Sequence, residues 1–142
     1  MILLDTNVLS ELLKPAPEAR VVAWINRRFS ECAVSSVAAF ELRAGLAVME
    51  AGRRRDALEN AMSRIIRRFA GRVFAFDMPS AEAAARLLAA ARSAGVGLHQ
   101  LPSKLADLQI AGIAAAYDLT LATRNLRDFQ GVGLTLIDPW AG

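Results

Sequence analysis

The sequence predicts a three-layer α/β domain, a mostly parallel sheet of four to five strands flanked by helices. Short strand-like runs alternate with longer helical stretches from end to end, the signature of crossover connections between parallel strands. The first run, Met1-Ile2-Leu3-Leu4, is continuously apolar, as a strand covered on both faces must be. A length of 142 residues, 54% of them hydrophobic and 22% charged, lets one domain bury a core without staples. No repeat, low-complexity tract or boundary divides the chain, so residues 1–142 are read as one domain.

After the first strand, Asp5-Thr6-Asn7 supplies turn and cap chemistry, and Val8 to Leu13 has room for a helical turn or two. Pro15 and Pro17 interrupt the chain. Ala19 to Phe29 places Val22, Ile25 and Phe29 at helical spacing, and Cys32 to Ser35 is strand-like. Ser35 or Ser36 can cap a helix running through Val48. Another helix covers Arg53 to Phe69 and stops at Gly71, before a third strand, Val73 to Phe76. Ser80 to Ala94 forms a helix closed by Gly95. A loop to Pro102 leads into a helix over Ser103 to Tyr117. Leu119 to Ala122 is a fourth strand and Leu134 to Ile137 a short fifth.

Composition removes whole classes. The apolar content excludes intrinsic disorder. Apolar stretches such as Ile110 to Tyr117 fall far short of the roughly 20 residues of a membrane-spanning helix. The amino terminus has no basic segment and meets Asp5 at once, unlike a signal peptide. Cys32 and His99 are the single cysteine and histidine, too few for a disulfide or a structural zinc site. A soluble protein of a reducing compartment, the cytoplasm, is expected. Fifteen of the 17 basic residues are arginine and the net charge is +3. That balance is compatible with a nucleic-acid partner, and equally with GC-rich coding.

Three carboxylates fall at unusual places. Asp5 ends the first strand, where it can cap a helix or line a site, because sites in such sheets lie outside the carboxyl ends of the strands. Glu41 shares its helical face with Val37, Ala38, Ala44, Gly45 and Val48, so it points where the core should be. Burying it requires a metal or an ion pair, for instance with Arg43 or Arg124. Asp107 shares its face with Ile110, Ala111 and Ala114, and also lies near enough to its helix start to serve as a cap. One site explains all three. Carboxylates without nitrogen or sulfur partners suit a hard cation, Mg²⁺ or Mn²⁺. Thr123-Arg124-Asn125-Leu126-Arg127-Asp128-Phe129 follows the fourth strand at the same sheet end, so Thr123, Asn125 and Asp128 are either further oxygen donors or turn residues.

Other chemistries lack their parts. There is no glycine-rich phosphate loop, and no nucleophile motif to go with His99, which reads as a solvated loop residue. Trp24 and Trp140 read as packing. The stripe Arg64, Arg68, Arg72, with Arg67 beside it, reads as a solvated helix face.

These residues resemble a known family. Met1-Ile-Leu-Leu-Asp-Thr-Asn-Val-Leu-Ser-Glu-Leu12 is similar to the opening of PIN domains of the VapC toxin group. Ser35-Ser-Val-Ala-Ala-Phe-Glu-Leu-Arg-Ala-Gly45, Asp107-Leu-Gln-Ile-Ala-Gly-Ile-Ala-Ala115 and Leu121-Ala-Thr-Arg-Asn-Leu-Arg-Asp-Phe129 resemble its later motifs, in order, across the whole chain. The close at Asp138-Pro-Trp140 resembles the FitB-like subgroup. The resemblance implies a PIN-like fold and a metal-dependent endoribonuclease, the toxin of a type II toxin-antitoxin system. It implies Asp5, Glu41 and Asp107 around Mg²⁺ or Mn²⁺, with Asn125 where many members carry a fourth acid. It further implies an RNA substrate, a homodimer, and a cognate antitoxin through which alone the protein meets operator DNA, with no membrane role. On this reading Asp5 and Asp107 are the main metal ligands, and Glu41 completes the shell or acts as base through a water. Thr6 and Thr123 hold waters or a phosphate, while Arg43 and Arg124 contact RNA. A catalytically weak PIN-fold regulatory module, working with a DNA-binding partner, is the alternative, and a metallo-phosphatase a third.

Overall fold

The computed structural model describes residues 1–141. Five parallel strands form one sheet in the order β3-β2-β1-β4-β5. They are β1 (Ile2–Leu4), β2 (Cys32–Ser35), β3 (Val73–Phe74), β4 (Thr120–Ala122) and β5 (Leu136–Ile137). Between them run α1 (Thr6–Glu11), α2 (Ala19–Arg27), α3 (Ser36–Ala47), α4 (Arg53–Arg68), α5 (Met78–Ala94), α6 (Leu105–Ala116) and α7 (Leu126–Phe129). Short 3-10 turns lie at Phe29–Glu31 and Gly97–His99.

The central strands are as dry as their composition demands. Leu3, Leu4, Ala33, Val34, Leu121 and Ala122 are fully buried, and the core cluster continues into Val8, Ile110, Ile113 and Phe129. Strand order reverses between β1 and β4, whose carboxyl ends open the crevice where ligands bind in sheets of this kind. Among the described residues, no helix is long and apolar enough to cross a membrane.

Local chemistry sets the helix ends. The Ser35 hydroxyl accepts from the Ala38 N–H at 3.0 Å and starts α3, as the sequence suggested. Asp77 caps α5 by accepting from the Ser80 N–H at 3.1 Å. That cap moves the start of α5 two residues forward and shortens the expected third strand to Val73–Phe74. Gly95 closes α5 with φ +70°. Helices α5 and α6 approach closely because Gly112 has no side chain: a Cβ there would stand 2.6 Å from the Ser80 carbonyl oxygen.

Two segments differ from expectation. Residues Leu126–Phe129, read as a turn, form the short helix α7, anchored by fully buried Phe129. Of the arginine stripe, Arg64, Arg67 and Arg68 are exposed as expected, while Arg72 is half-buried. The Arg68 guanidinium lies 4.4 Å from the Phe29 ring centroid, and that of Arg72 lies 4.9 Å from it.

Candidate active site

Asp5 is held from four directions. Its N–H donates to the Ala122 carbonyl at 2.9 Å, carrying the β1–β4 pairing one residue past the strand. Its carbonyl accepts from the Val8 and Leu9 N–H groups and starts α1. Oδ1 accepts from the Thr6 N–H at 2.8 Å, and Oδ2 from the Thr123 hydroxyl at 2.7 Å. Asp5 and Thr123 are both buried. Burial pushes the Asp5 carboxyl above its ordinary range, opposed by those two hydrogen bonds and reinforced by the charges of Glu41 and Asp128. Asp5 is thus a helix cap whose two carboxylate oxygens are each held at one strand end, Oδ1 after β1 and Oδ2 after β4.

Asp107 sits in the first turn of α6, behind buried Ile110, Ala111 and Ala114. Its side chain is 24% exposed. Burial first, then the Asp5 charge, pushes its carboxyl up to about 6, with Lys104 opposing and Glu41 and Asp128 adding to the rise. Asp5, Glu41, Asp107 and Asp128 therefore lie within electrostatic reach of one another, at one end of the sheet.

Glu41 departs from expectation. It is half-buried rather than in the core, because its face-mates Gly45 and Val48 are exposed as α3 turns outward. Among the described residues it has no arginine partner within ion-pair distance. Its Oε1 accepts from the Thr6 hydroxyl at 2.5 Å. The two threonines are accordingly occupied in orienting carboxylates: Thr6 holds Glu41 and Thr123 holds Asp5. The arginines expected at the cleft are turned elsewhere. Arg43 donates to Ser63 on α4 at 3.4 Å, and the Arg124 guanidinium lies 5.0 Å from the Trp140 ring centroid.

Asn125 is exposed at the start of α7, where its side chain makes no cap hydrogen bond, while its N–H donates to the Thr123 hydroxyl at 3.1 Å. The charge that reaches Asp5 and Asp107 from this segment comes from Asp128. Asp128 accepts from the Lys104 ammonium at 3.0 Å, and the same ammonium lies 3.8 Å from Asp107 Oδ2. Sequence reasoning passed over Lys104, although its i, i+3 relation to Asp107 put both on one helix face.

Three or four mutually repelling, partly desolvated carboxylates are the donor set of a hard divalent ion. Among the described residues, no three His, Cys, Asp or Glu side chains already stand as a closed metal-binding group. The donor chemistry of Asp5, Glu41 and Asp107, oxygen without nitrogen or sulfur, fits a hard cation.

The chain is similar to known proteins along its whole length. It is 44% identical over 142 residues to plasmid stability protein StbB of Pseudomonas syringae pv. tomato, covering 99% of each chain. It is 39% identical to VapC ribonuclease Y4jK of Sinorhizobium fredii (99% of this chain, 98% of the other). Toxin FitB of Neisseria gonorrhoeae is 37% identical, with 99% of each covered. Among solved structures, FitAcB from Neisseria gonorrhoeae matches with a TM-score of 0.88 at 36% identity, 99% of both chains covered. FitAB bound to a DNA fragment matches at 0.89 and 35%, over 99% of this chain and 96% of the other. The PIN domain family model matches residues 2–133. The fold, the acids at the carboxyl edge of the sheet and these matches together place the chain in the PIN domain family.

Proposed function

We propose that this protein is the toxin of a type II toxin-antitoxin system, a ribonuclease that hydrolyses RNA phosphodiesters with Mg²⁺ or Mn²⁺ at Asp5, Glu41 and Asp107. The observation that carries the reading is the convergence of carboxylates from α3, α6 and the β1 end at the switch crevice, where burial and neighbouring charge raise Asp5 and Asp107. When bound, a divalent ion supplies an activated water and neutralises charge on the phosphoryl oxygens. Asp5 and Asp107 would hold it. Asp5 is pre-oriented by Thr123 and by the Thr6 N–H, so little reorganisation is needed. Glu41, steadied through Oε1 by Thr6, keeps Oε2 to accept a proton from an attacking water. Asn125 offers the crevice a neutral amide for a phosphate or a water.

The partner of such a toxin is a small antitoxin that blocks the site and carries the pair to operator DNA; the similarity to FitAB bound to DNA supports this. The fully buried Cys32, whose thiol burial pushes up to about 11, suits a cytoplasmic protein without a reactive thiol. A homodimer accords with exposed Phe40 on α3 and exposed Val48 at its C-cap.

The test has two arms. Induced expression arrests growth, and co-expression of the small protein encoded beside it restores growth. Purified protein cleaves single-stranded RNA and leaves a small phosphomonoester intact. Growth unaffected by active protein would remove the toxin role, and turnover of the phosphomonoester alone would replace the nuclease with a phosphatase.

A further inference from the structure

The geometry points to Lys104 as the resident counter-ion of the acidic site: its ammonium fills the Asp107–Asp128 side, keeps Asp128 out of the metal shell, and limits the crevice to one tightly held divalent ion. The inference rests on the metal reading above.

Three observations converge on this lysine. Its ammonium is 3.0 Å from Asp128 Oδ2 and 3.8 Å from Asp107 Oδ2, bridging α6 and α7. It is about a quarter exposed and also within electrostatic reach of Asp5. The pair is built in sterically as well. Gly97 leaves room for the Asp128 carboxylate, since a Cβ at Gly97 would stand 2.5 Å from Asp128 Oδ1. The 3-10 turn Gly97–His99, with Leu98 fully buried, thus closes against α7 and keeps Asp128 beside Lys104.

The charge count follows. Asp5, Glu41, Asp107 and Asp128 carry four negative charges when ionised. Lys104 offsets one, which leaves a net −3: one divalent ion takes the site to −1, and a second would take it to +1. Without the lysine, Asp128 becomes a donor and a second ion becomes favourable. Lys104 is a positioning residue here: it acts on the ions through Asp107 and Asp128.

The experiment is a calorimetric titration of metal-free protein with Mn²⁺, with bound ions counted by electron paramagnetic resonance. The wild type takes up one ion tightly. Lys104→Gln binds it about tenfold more tightly or better, the scale of removing a like charge at this range, and takes up a second. Lys104→Arg keeps the charge and stays near the wild type. Asp128→Asn, in which the ammonium turns wholly to Asp107, binds more weakly, and it decides the matter should Lys104→Gln fail to fold. Equal affinity and stoichiometry in wild type and Lys104→Gln overturn the role of Lys104 while leaving the metal reading intact. No Mn²⁺ uptake by the wild type overturns the metal reading, and the role of Lys104 with it.

Discussion

At Asp5, each carboxylate oxygen already accepts a hydrogen bond, one from the chain and one from buried Thr123. The Thr123 hydroxyl favours the ionised form against the pull of burial. Thr123→Val keeps the shape and removes that donor. Denaturant unfolding should then show a loss of about 1–3 kcal/mol, the cost of a buried acceptor left unpaired. The Asp5 carboxyl should rise further, so the acidic limb of the cleavage profile moves to higher pH, and Thr123→Ser should restore it. An unmoved limb would make Thr123 merely structural. Asp5 was legible as a strand-end carboxylate that could cap a helix or line a site, and the cap is what its hydrogen bond to the Thr6 N–H shows. The partners of the threonines were not legible, since which oxygen a hydroxyl serves depends on neighbours up to 118 residues away. Asn125 and Asp128 stood as alternatives for the same reason: sequence places both in one turn, and only the fold shows Asp128 beside Lys104.

At the scale of elements, strands and long helices were legible because burial on both strand faces and helical caps leave local marks. Ser35 and Gly95 sit at the helix ends expected of them, whereas the Asp77 cap starts α5 two residues before the expected Ser80. The four-residue helix α7 is too short to show a period, and it exists because Phe129 is buried under it. The face of α3 misled in its second half. Small apolar residues there look like a core stripe, yet Gly45 and Val48 face solvent. Helix packing sets where Asp107 stands, and Gly112 is its tightest point, with Ser80 and Ala84 both under 3 Å from a built Cβ. Gly112→Ala should therefore destabilise by about 1–3 kcal/mol through overpacking, against the usual gain of alanine in a helix. Cleavage should fall as α6 shifts. A variant as stable as the wild type would show that α5 can yield without moving the site.

For the whole molecule, the raised Asp107 carboxyl makes this end of the sheet a source of instability at neutral pH. Asp107 has an ordinary value of 3.8 and stands at about 6 in the folded protein. A raised carboxyl means that the folded state binds the proton more tightly than the unfolded state does. Its contribution to stability is fully present below about pH 4 and is lost as pH rises through about 6. Metal-free protein should therefore lose about 2–3 kcal/mol of stability between those values from this residue. Asp107→Asn should flatten the loss and be more stable than the metal-free wild type at pH 7. A steep loss persisting in Asp107→Asn would assign it to Asp5, which burial also raises.

We propose that the carboxylates at the end of the sheet cut RNA through a bound divalent ion. The most direct measurement is cleavage of one end-labelled single-stranded RNA by the purified protein, first in EDTA and then with Mg²⁺ or Mn²⁺ restored, beside Asp107→Asn under the same conditions. Cleavage should vanish in the chelator, return with either ion, and fall by about 100-fold or more in a folded Asp107→Asn protein. Undiminished cleavage in EDTA, or a folded Asp107→Asn protein as active as the wild type, would contradict it.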